Sequence, residues 1–345
     1  MKASGKLRVL VVDDSLFMRA AVTKLLTTDG RFEVVGQAKD GAEAVDKVTE
    51  LAPDVVTMDF NMPRMNGAES VRAIMAKRPT PVIMFSAHTK QGARETFEAL
   101  AAGAVDFVTK PGGEVSADLR GIADDLVGKL IAASGARPRA LAPVQQAKPK
   151  APVHISTWPP TGPRVLVVGV STGGPSALSR VIPTLPAAIR FSILIVQHMP
   201  ASFTATLAER LNGLSAVSVR EARDGDIPAA GMVFIAPGDR HLEVADGGVL
   251  RLTDESPVNG CRPSADVTMA SAARVFGRRV IGLVMTGMGK DGAAGLGAIK
   301  RADGITLAQD QQSSVIYGMP KAAIDAGVVD EVLSFDDIAR RLQEL

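Results

Sequence analysis

Two blocks of alternating strand-like and helix-like segments, separated by a stretch that can form neither, set the outline of this chain. Short apolar runs rich in β-branched residues occupy 7–12, 34–38, 55–59, 81–86 and 106–109. Runs of this length and composition read as strands buried on both faces. Between them, apolar residues recur at helical spacing: Phe17, Ala21 and Leu25 share one face, as do Ala44, Val48 and Leu51. The alternation predicts a doubly wound α/β domain with a five-stranded parallel sheet over residues 1–133. Residues 134–163 hold seven prolines, four Lys or Arg and no acidic residue, without sustained periodicity. That composition predicts an extended linker, with Trp158 pinning it to a domain surface. The alternation resumes at 165–170, 193–197 and 280–285, with helical patterns at 177–182, 205–211, 267–276 and 293–302. Residues 241–245 and 249–253, joined around Asp246-Gly-Gly, predict an antiparallel hairpin. Residues 164–345 therefore read as a second α/β domain, its sheet mostly parallel. Ser334-Phe-Asp-Asp-Ile predicts a capped helix start near the C-terminus.

Composition removes several function classes. A length of 345 residues suits two domains, and 46% hydrophobic residues can fill two cores. The net charge of +2 implies no polyanionic partner, and 4% aromatic residues are too few for base-stacking platforms. No nucleic acid is expected as partner. Cys261 is the only cysteine, which excludes an intramolecular disulfide and disfavours a cysteine-based zinc site. No secretory pattern opens the chain, and no run approaches the roughly 20 apolar residues of a membrane span. The expectation is a cytoplasmic monomer with no membrane insertion.

Asp13 and Asp14 follow the first predicted strand and Asp59 ends the third. In a parallel sheet these ends face one crevice. Carboxylates gathered there repel one another unless a cation sits among them, and a hard divalent ion with oxygen ligands, Mg²⁺, fits. Ser86 ends the fourth predicted strand and Lys110 follows the fifth, so a hydroxyl and an ammonium reach the same place. A phosphoryl group on Asp59 would need those partners. With these residues in view, 7–133 resembles a response-regulator receiver domain. The resemblance implies that Asp59 is the phosphorylated aspartate. It implies that Asp14, Asp59 and the carbonyl of Asn61 hold Mg²⁺, with Asp13 acting through water. Ser86 and Phe107 would be the switch hydroxyl and aromatic, Lys110 the phosphate contact, and Lys110-Pro111 a place where the family often has a cis peptide.

The second block carries a different chemistry. Ser171, His198 and Asp291 each lie at or just beyond the C-terminal end of a predicted strand. Gly173 and Gly174 after Ser171 let backbone approach a ligand, and the following helix offers free N–H donors. His198 can take the Ser171 proton and Asp291 can orient the imidazole. Alternatives stay open at this point: His241 as base, Asp266 in place of Asp291, Cys261 as nucleophile. Asp266 also suits the first turn of a helix begun by Ser264. Met288 reads either as a loop residue filling an apolar gap or as an N–H donor to an oxyanion.

The motifs Gly169-Val-Ser171-Thr-Gly-Gly174, Gln197-His198-Met-Pro200, Ala236-Pro-Gly-Asp239, Arg262-Pro-Ser264 and Thr286-Gly-Met288-Gly-Lys-Asp291-Gly292 resemble the catalytic domain of the chemotaxis protein-glutamate methylesterases, the CheB family. The resemblance implies a Ser171 nucleophile, a His198 base and an Asp291 orienter, with Thr172 and Met288 neighbouring the substrate. It further implies a phosphorylation-activated enzyme acting on glutamate γ-methyl esters of methyl-accepting chemotaxis receptors and deamidating specific glutamines. The phosphodonor would be a chemotaxis histidine kinase, and hydrolysis itself would need no cofactor. Phosphate on Asp59 would act indirectly, through domain packing, with the unphosphorylated receiver covering the Ser171 crevice. Rival readings are a non-enzymatic receiver-linked binding protein, a receiver with a DNA-binding output, and a hydrolase of small-molecule esters. The absence of a helix-turn-helix signal argues against the second.

Overall fold

A computed structural model of the chain describes residues 5–110, 122–136 and 165–345. The chain divides into two compact units, Met1–Pro143 and Val144–Leu345. Most of the expected linker, with His154 and Trp158, lies outside the described residues, as does Pro111 and its peptide bond.

The first unit alternates β1 (Leu7–Val12), α1 (Leu16–Asp29), β2 (Phe32–Ala38), α2 (Gly41–Leu51), β3 (Val55–Asp59), α3 (Gly67–Lys77), β4 (Val82–Ser86), α4 (Lys90–Ala102), β5 (Asp106–Thr109) and α5 (Ala123–Ser134). Its five strands lie in the order β2-β1-β3-β4-β5, all parallel. Strand β1 is central to the chain path, so the crevice between the ends of β1 and β3 is a topological switch point. Polar side chains start each of the first four helices. Ser15, Asp40, Asn66 and Thr89 accept from the backbone N–H groups of Met18, Glu43, Glu69 and Gly92. Asn66 and Glu69 close a reciprocal capping box.

Helix α1 differs from expectation. Its buried residues are Val22 and Leu26, whereas Phe17 is 59% exposed and Leu16 71% exposed. The helix is turned by about one residue relative to the Phe17-Ala21-Leu25 face. The cap on Ser15 sets where the helix starts, and Arg19 binds the carbonyls of Asp13 and Asp14, which holds that rotation.

The second unit runs β6 (Val165–Val170), α6 (Gly174–Val181), β7 (Ser192–Gln197), α7 (Ala201–Leu214), β8 (Ser218–Glu221), β9 (Met232–Ile235), β10 (His241–Val244), β11 (Leu250–Thr253), α8 (Ala265–Phe276), β12 (Val280–Val284), α9 (Ala293–Arg301), β13 (Ile305–Gln309), α10 (Met319–Asp325), β14 (Glu331–Leu333) and α11 (Phe335–Gln343). Seven strands form one sheet in the order β14-β13-β12-β6-β7-β9-β8, every pairing parallel. Strands β10 and β11 form the expected antiparallel hairpin, as a separate two-stranded sheet. Strands β8, β9, β13 and β14 escaped the sequence reading. They span three to five residues each, and segments this short show no periodicity of their own.

Buried Val165, Val167, Val280, Val284, Met269 and Leu296 join β6, β12, α8 and α9 in one apolar core. Helix α11 starts as expected, with Ser334 accepting from the N–H of Asp337. The Arg180 guanidinium lies 4.0 Å from the Phe335 ring centroid, tying α11 to α6.

Candidate active site and phospho-acceptor pocket

Strands β12, β6 and β7 are neighbours at the centre of the second sheet. Their C-terminal ends carry Asp291, Ser171 and His198 toward one edge of the sheet, where the order reverses across β6. The backbone is fastened there by the sheet and by one side chain. His198 N–H donates to the Val170 carbonyl and Ser171 N–H to the Thr286 carbonyl, at 3.2 and 3.0 Å. The buried Gln197 amide donates to the carbonyls of both Ser171 and His198, at 3.0 and 3.3 Å. Gly173 caps α6 at φ +78°, a left-handed conformation that suits glycine, and the chain turns sharply away from Ser171. A Cβ on Gly287 would lie 2.8 Å from Ser171 Cβ, so only glycine lets the two loops approach.

His198 Nε2 lies 2.8 Å from Asp291 Oδ2. The pair is buried: the His198 side chain is 13% exposed and that of Asp291 2%. Burial alone would lower the imidazole's proton affinity. The hydrogen bond to Asp291 and the neighbouring Cys261 sulfur outweigh it and raise the His198 pKa to about 9. Burial likewise pushes the Asp291 carboxyl up, but the bond to and charge of His198, the Ser264 hydroxyl and the Ala265 N–H hold it down at about 2. Asp291 accepts from Ser264 Oγ and Ala265 N, each at 2.6 Å, and from Asp266 N at 3.2 Å. It therefore closes the N-terminus of α8 while facing the imidazole.

Ser171 is half-buried, and among the described residues its hydroxyl makes no hydrogen bond to His198. The ring nitrogen that Asp291 leaves open, Nδ1, faces Cys261 Sγ at 3.7 Å. The sequence separates Cys261 from every histidine, so this neighbour was invisible before folding. Thr172 is buried, and its carbonyl accepts from Thr286 Oγ1 at 2.9 Å. Thr286 also receives the Ile316 N–H and donates its own N–H to Gln309 Oε1. It locks the loops after β6, β12 and β13 together. Gln309 and Ile316 carried no motif signal. Met288 is 43% exposed.

His241 is occupied elsewhere. Its Nδ1 accepts from Ser264 N–H at 3.2 Å and its Nε2 donates to the Ser256 carbonyl at 3.1 Å. With both nitrogens engaged and 1% exposure, it buttresses the start of α8. Asp266 does not serve its own helix. Its carboxylate accepts from Gly292 and Gly295 of the neighbouring α9, at 2.9 and 2.7 Å.

In the first unit, Lys110 Nζ bridges Asp59 Oδ1 at 2.8 Å and Asp13 Oδ2 at 3.1 Å. Oxygen atoms of Asp13, Asp14 and Asp59 lie within 4.8 Å of one another. Burial raises the Asp59 pKa; Lys110 opposes it, Asp13 adds to it, and the result is about 6. Three close carboxylates with one ammonium leave negative charge uncompensated, which fits a hard divalent cation such as Mg²⁺. The Asn61 side chain donates to Glu95 on α4 at 3.1 Å. Ser86 is turned into α4, where its hydroxyl donates to the Gly92 carbonyl at 3.1 Å and accepts from Thr96 at 2.6 Å. Phe107 is buried, with Lys129 Nζ 5.4 Å from its ring centroid.

A receiver-type acid pocket thus precedes, in one chain, an α/β unit with a serine, histidine and aspartate on adjacent strand ends. Residues 9–117 match the response regulator receiver domain family, and residues 166–342 match the family described as CheB methylesterase. The chain is 47% identical over 344 residues to the protein-glutamate methylesterase/protein-glutamine glutaminase of Symbiobacterium thermophilum, covering 96% of this chain and 95% of that protein. It is 48% identical over 347 residues to protein-glutamate methylesterase/protein-glutamine glutaminase 2 of Koribacter versatilis, covering 97% and 95%. The crystal structure of the Thermotoga maritima CheB methylesterase catalytic domain aligns at 40% identity and a TM-score of 0.51, covering 53% of this chain and 99% of that one. The chain belongs to the CheB family of protein-glutamate methylesterases/protein-glutamine glutaminases.

Proposed function

We propose that this enzyme removes methyl groups from glutamate γ-methyl esters of methyl-accepting chemotaxis receptors, and deamidates receptor glutamines, through Ser171, His198 and Asp291. The observation that carries the reading is the buried His198–Asp291 pair beside Ser171 on adjacent strand ends. Asp291 orients the ring through Nε2, which leaves Nδ1 to take the Ser171 proton once the hydroxyl turns toward it. Ser171 Oγ attacks the side-chain carbonyl, and His198 returns the proton to methanol or ammonia as it leaves. Water, activated by the same nitrogen, then releases glutamate from the acyl-enzyme. In this reading, backbone N–H groups near Thr172 and Met288 would receive the oxyanion. At a pKa of about 9, the resting imidazole carries a proton at neutral pH, so the base form grows as pH rises.

Asp59 is the phosphate acceptor in this reading, with a chemotaxis histidine kinase as donor. Asp13, Asp14, Asp59 and the Asn61 carbonyl would hold Mg²⁺, which neutralises charge on the phosphoryl group. Lys110 already touches Asp59, whereas Ser86 must leave the Gly92 carbonyl to reach a phosphoryl oxygen. Residues 1–133 form the receiver, 134–163 the linker and 164–345 the catalytic domain, and phosphorylation raises esterase activity. Among the described residues no helix is long and apolar enough to cross a membrane; the cytoplasm is the place of action in this reading. Methanol release from methylated receptor, measured with and without a small-molecule phosphodonor, tests the whole reading. Release that depends on Ser171 and increases with the donor supports it. A preference for small methyl esters over the receptor would replace the substrate.

A further inference from the structure

The N-termini of α8 and α9 face each other, and each is closed by an acid from the other side. Asp291, just before α9, accepts from Ala265 and Asp266 at the start of α8. Asp266, in the first turn of α8, accepts from Gly292 and Gly295 at the start of α9. Asn259 joins the two acids: its Nδ2 lies 2.8 Å from Asp266 Oδ2 and 3.4 Å from Asp291 Oδ1. The exchange is strained electrostatically. Burial raises the Asp266 carboxyl and so does the adjacent charge of Asp291, against the N–H groups it receives. A sequence that sought only helix stability would avoid setting a half-buried carboxylate beside a buried one. A hydroxyl or amide would cap α9 without the repulsion.

We infer that Asp266, bridged by Asn259, is a positioning residue that fixes the carboxylate of Asp291 against His198 Nε2. Asp266 Oδ1 holds the N–H groups of Gly292 and Gly295, both just after Asp291, and so pins the turn that leads out of the orienting acid. The inference rests on the reading of Asp291 as the orienter of His198.

The test uses the full chain and three variants: Asp266→Ala, Asp266→Asn and the exposed Asn259→Ala. Two readouts are needed. One is kcat and KM on methylated receptor across pH. The other is the titration of His198 followed by NMR of its imidazole, which needs no substrate. Asp266→Ala should lower kcat by about 10- to 100-fold with KM little changed, as expected when an oriented group is misplaced. Its His198 titration should move downward from about 9, because a displaced Asp291 favours the neutral ring. Asp266→Asn keeps an acceptor for the α9 N–H groups, so it should fold and show a smaller downward shift with a smaller loss of kcat. Asn259→Ala should show the smallest change in both. If His198 titrates as in the parent in all three, and activity falls only in step with melting temperature, Asp266 is a helix cap and nothing more. If Asp266→Ala does not fold, the other two decide by the same readouts. A moved titration in a protein that demethylates no receptor would keep Asp266 in this role and overturn the proposed substrate instead.

Discussion

Both candidate sites sit at the C-terminal edge of a parallel sheet at a topological switch point, yet they are built in opposite ways. In the receiver pocket, acids are crowded and underpaired. Asp59 is pushed up to about 6, and Lys110 divides itself between two carboxylates. In the hydrolytic site the acid is overdetermined. Asp291 is held by a hydroxyl, two backbone N–H groups and an imidazole, and is pushed down to about 2. The first arrangement gains stability when a cation arrives, so it can respond to one. The second is organised before substrate comes, which suits a site that must stabilise developing charge without rearranging. A response element and a catalytic element can share one sheet geometry and differ only in how completely their charges are satisfied.

The largest effect should come from the nucleophile. Ser171→Ala should lose on the order of 10³-fold or more of esterase turnover, by analogy with other serine triads. Cys261→Ser should stay within a few-fold, although Cys261 faces the same imidazole. The opposite pattern in a methanol-release assay would transfer the covalent step to sulfur.

The pocket in the first unit can be broken without touching the second. Asp59→Asn should abolish acyl-phosphate formation with Mg²⁺ and a phosphodonor, while esterase activity in the absence of donor persists. Labelled phosphate in parent-like yield on the variant would mean another acceptor.

The two sites should also answer differently to pH. A His198 pKa raised from 6.5 to about 9 predicts that kcat/KM climbs through neutral pH and levels off near that value. A plateau reached already near pH 6.5 would show that Asp291 does not hold the proton on the ring. In stability, a raised histidine contributes fully below 6.5, and that contribution is lost as pH rises through about 9. The lowered Asp291 contributes above 3.8 and loses its contribution as pH falls through about 2.

Asp59 has the reverse sign. Its folded pKa of about 6 lies above 3.8, so the folded state holds the proton more tightly and stability falls as pH rises between those values. At pH 7 without metal, Asp59→Asn should therefore melt a few degrees higher than the parent, a change of about 1–3 kcal/mol at most. Mg²⁺ should raise the melting temperature of the parent more than that of the variant. Equal Mg²⁺ shifts in thermal scans would detach the metal from Asp59.

Much of this was legible in one dimension because strands buried on both faces announce themselves as continuous apolar runs. The bounds of β1, β3, β5 and β6 coincide with those runs. The candidate site residues were legible for a related reason: open α/β sheets put their chemistry at strand ends, and Asp59 ends β3, Ser171 and His198 directly follow β6 and β7, and Asp291 lies in the loop after β12. The strands β8, β9, β13 and β14 and the rotation of α1 were not. Three to five residues carry too little period to stand out unless a turn signal frames them, as Asp246-Gly-Gly frames β10 and β11, and one N-cap can turn a helix by a residue.

What the sequence by itself determined was the inventory: two α/β units, an acid cluster and a serine, histidine and aspartate in motifs. What only the tertiary structure decided was the pairing. Asp291 rather than Asp266 faces His198, His241 is spent on Ser264 and Ser256, and Cys261 meets His198 across 63 residues of chain. Burial and periodicity are properties of each segment and so are written locally. A hydrogen bond between strand-end residues depends on which strands are neighbours and how the helices after them cross, and that is set only when the whole sheet has assembled.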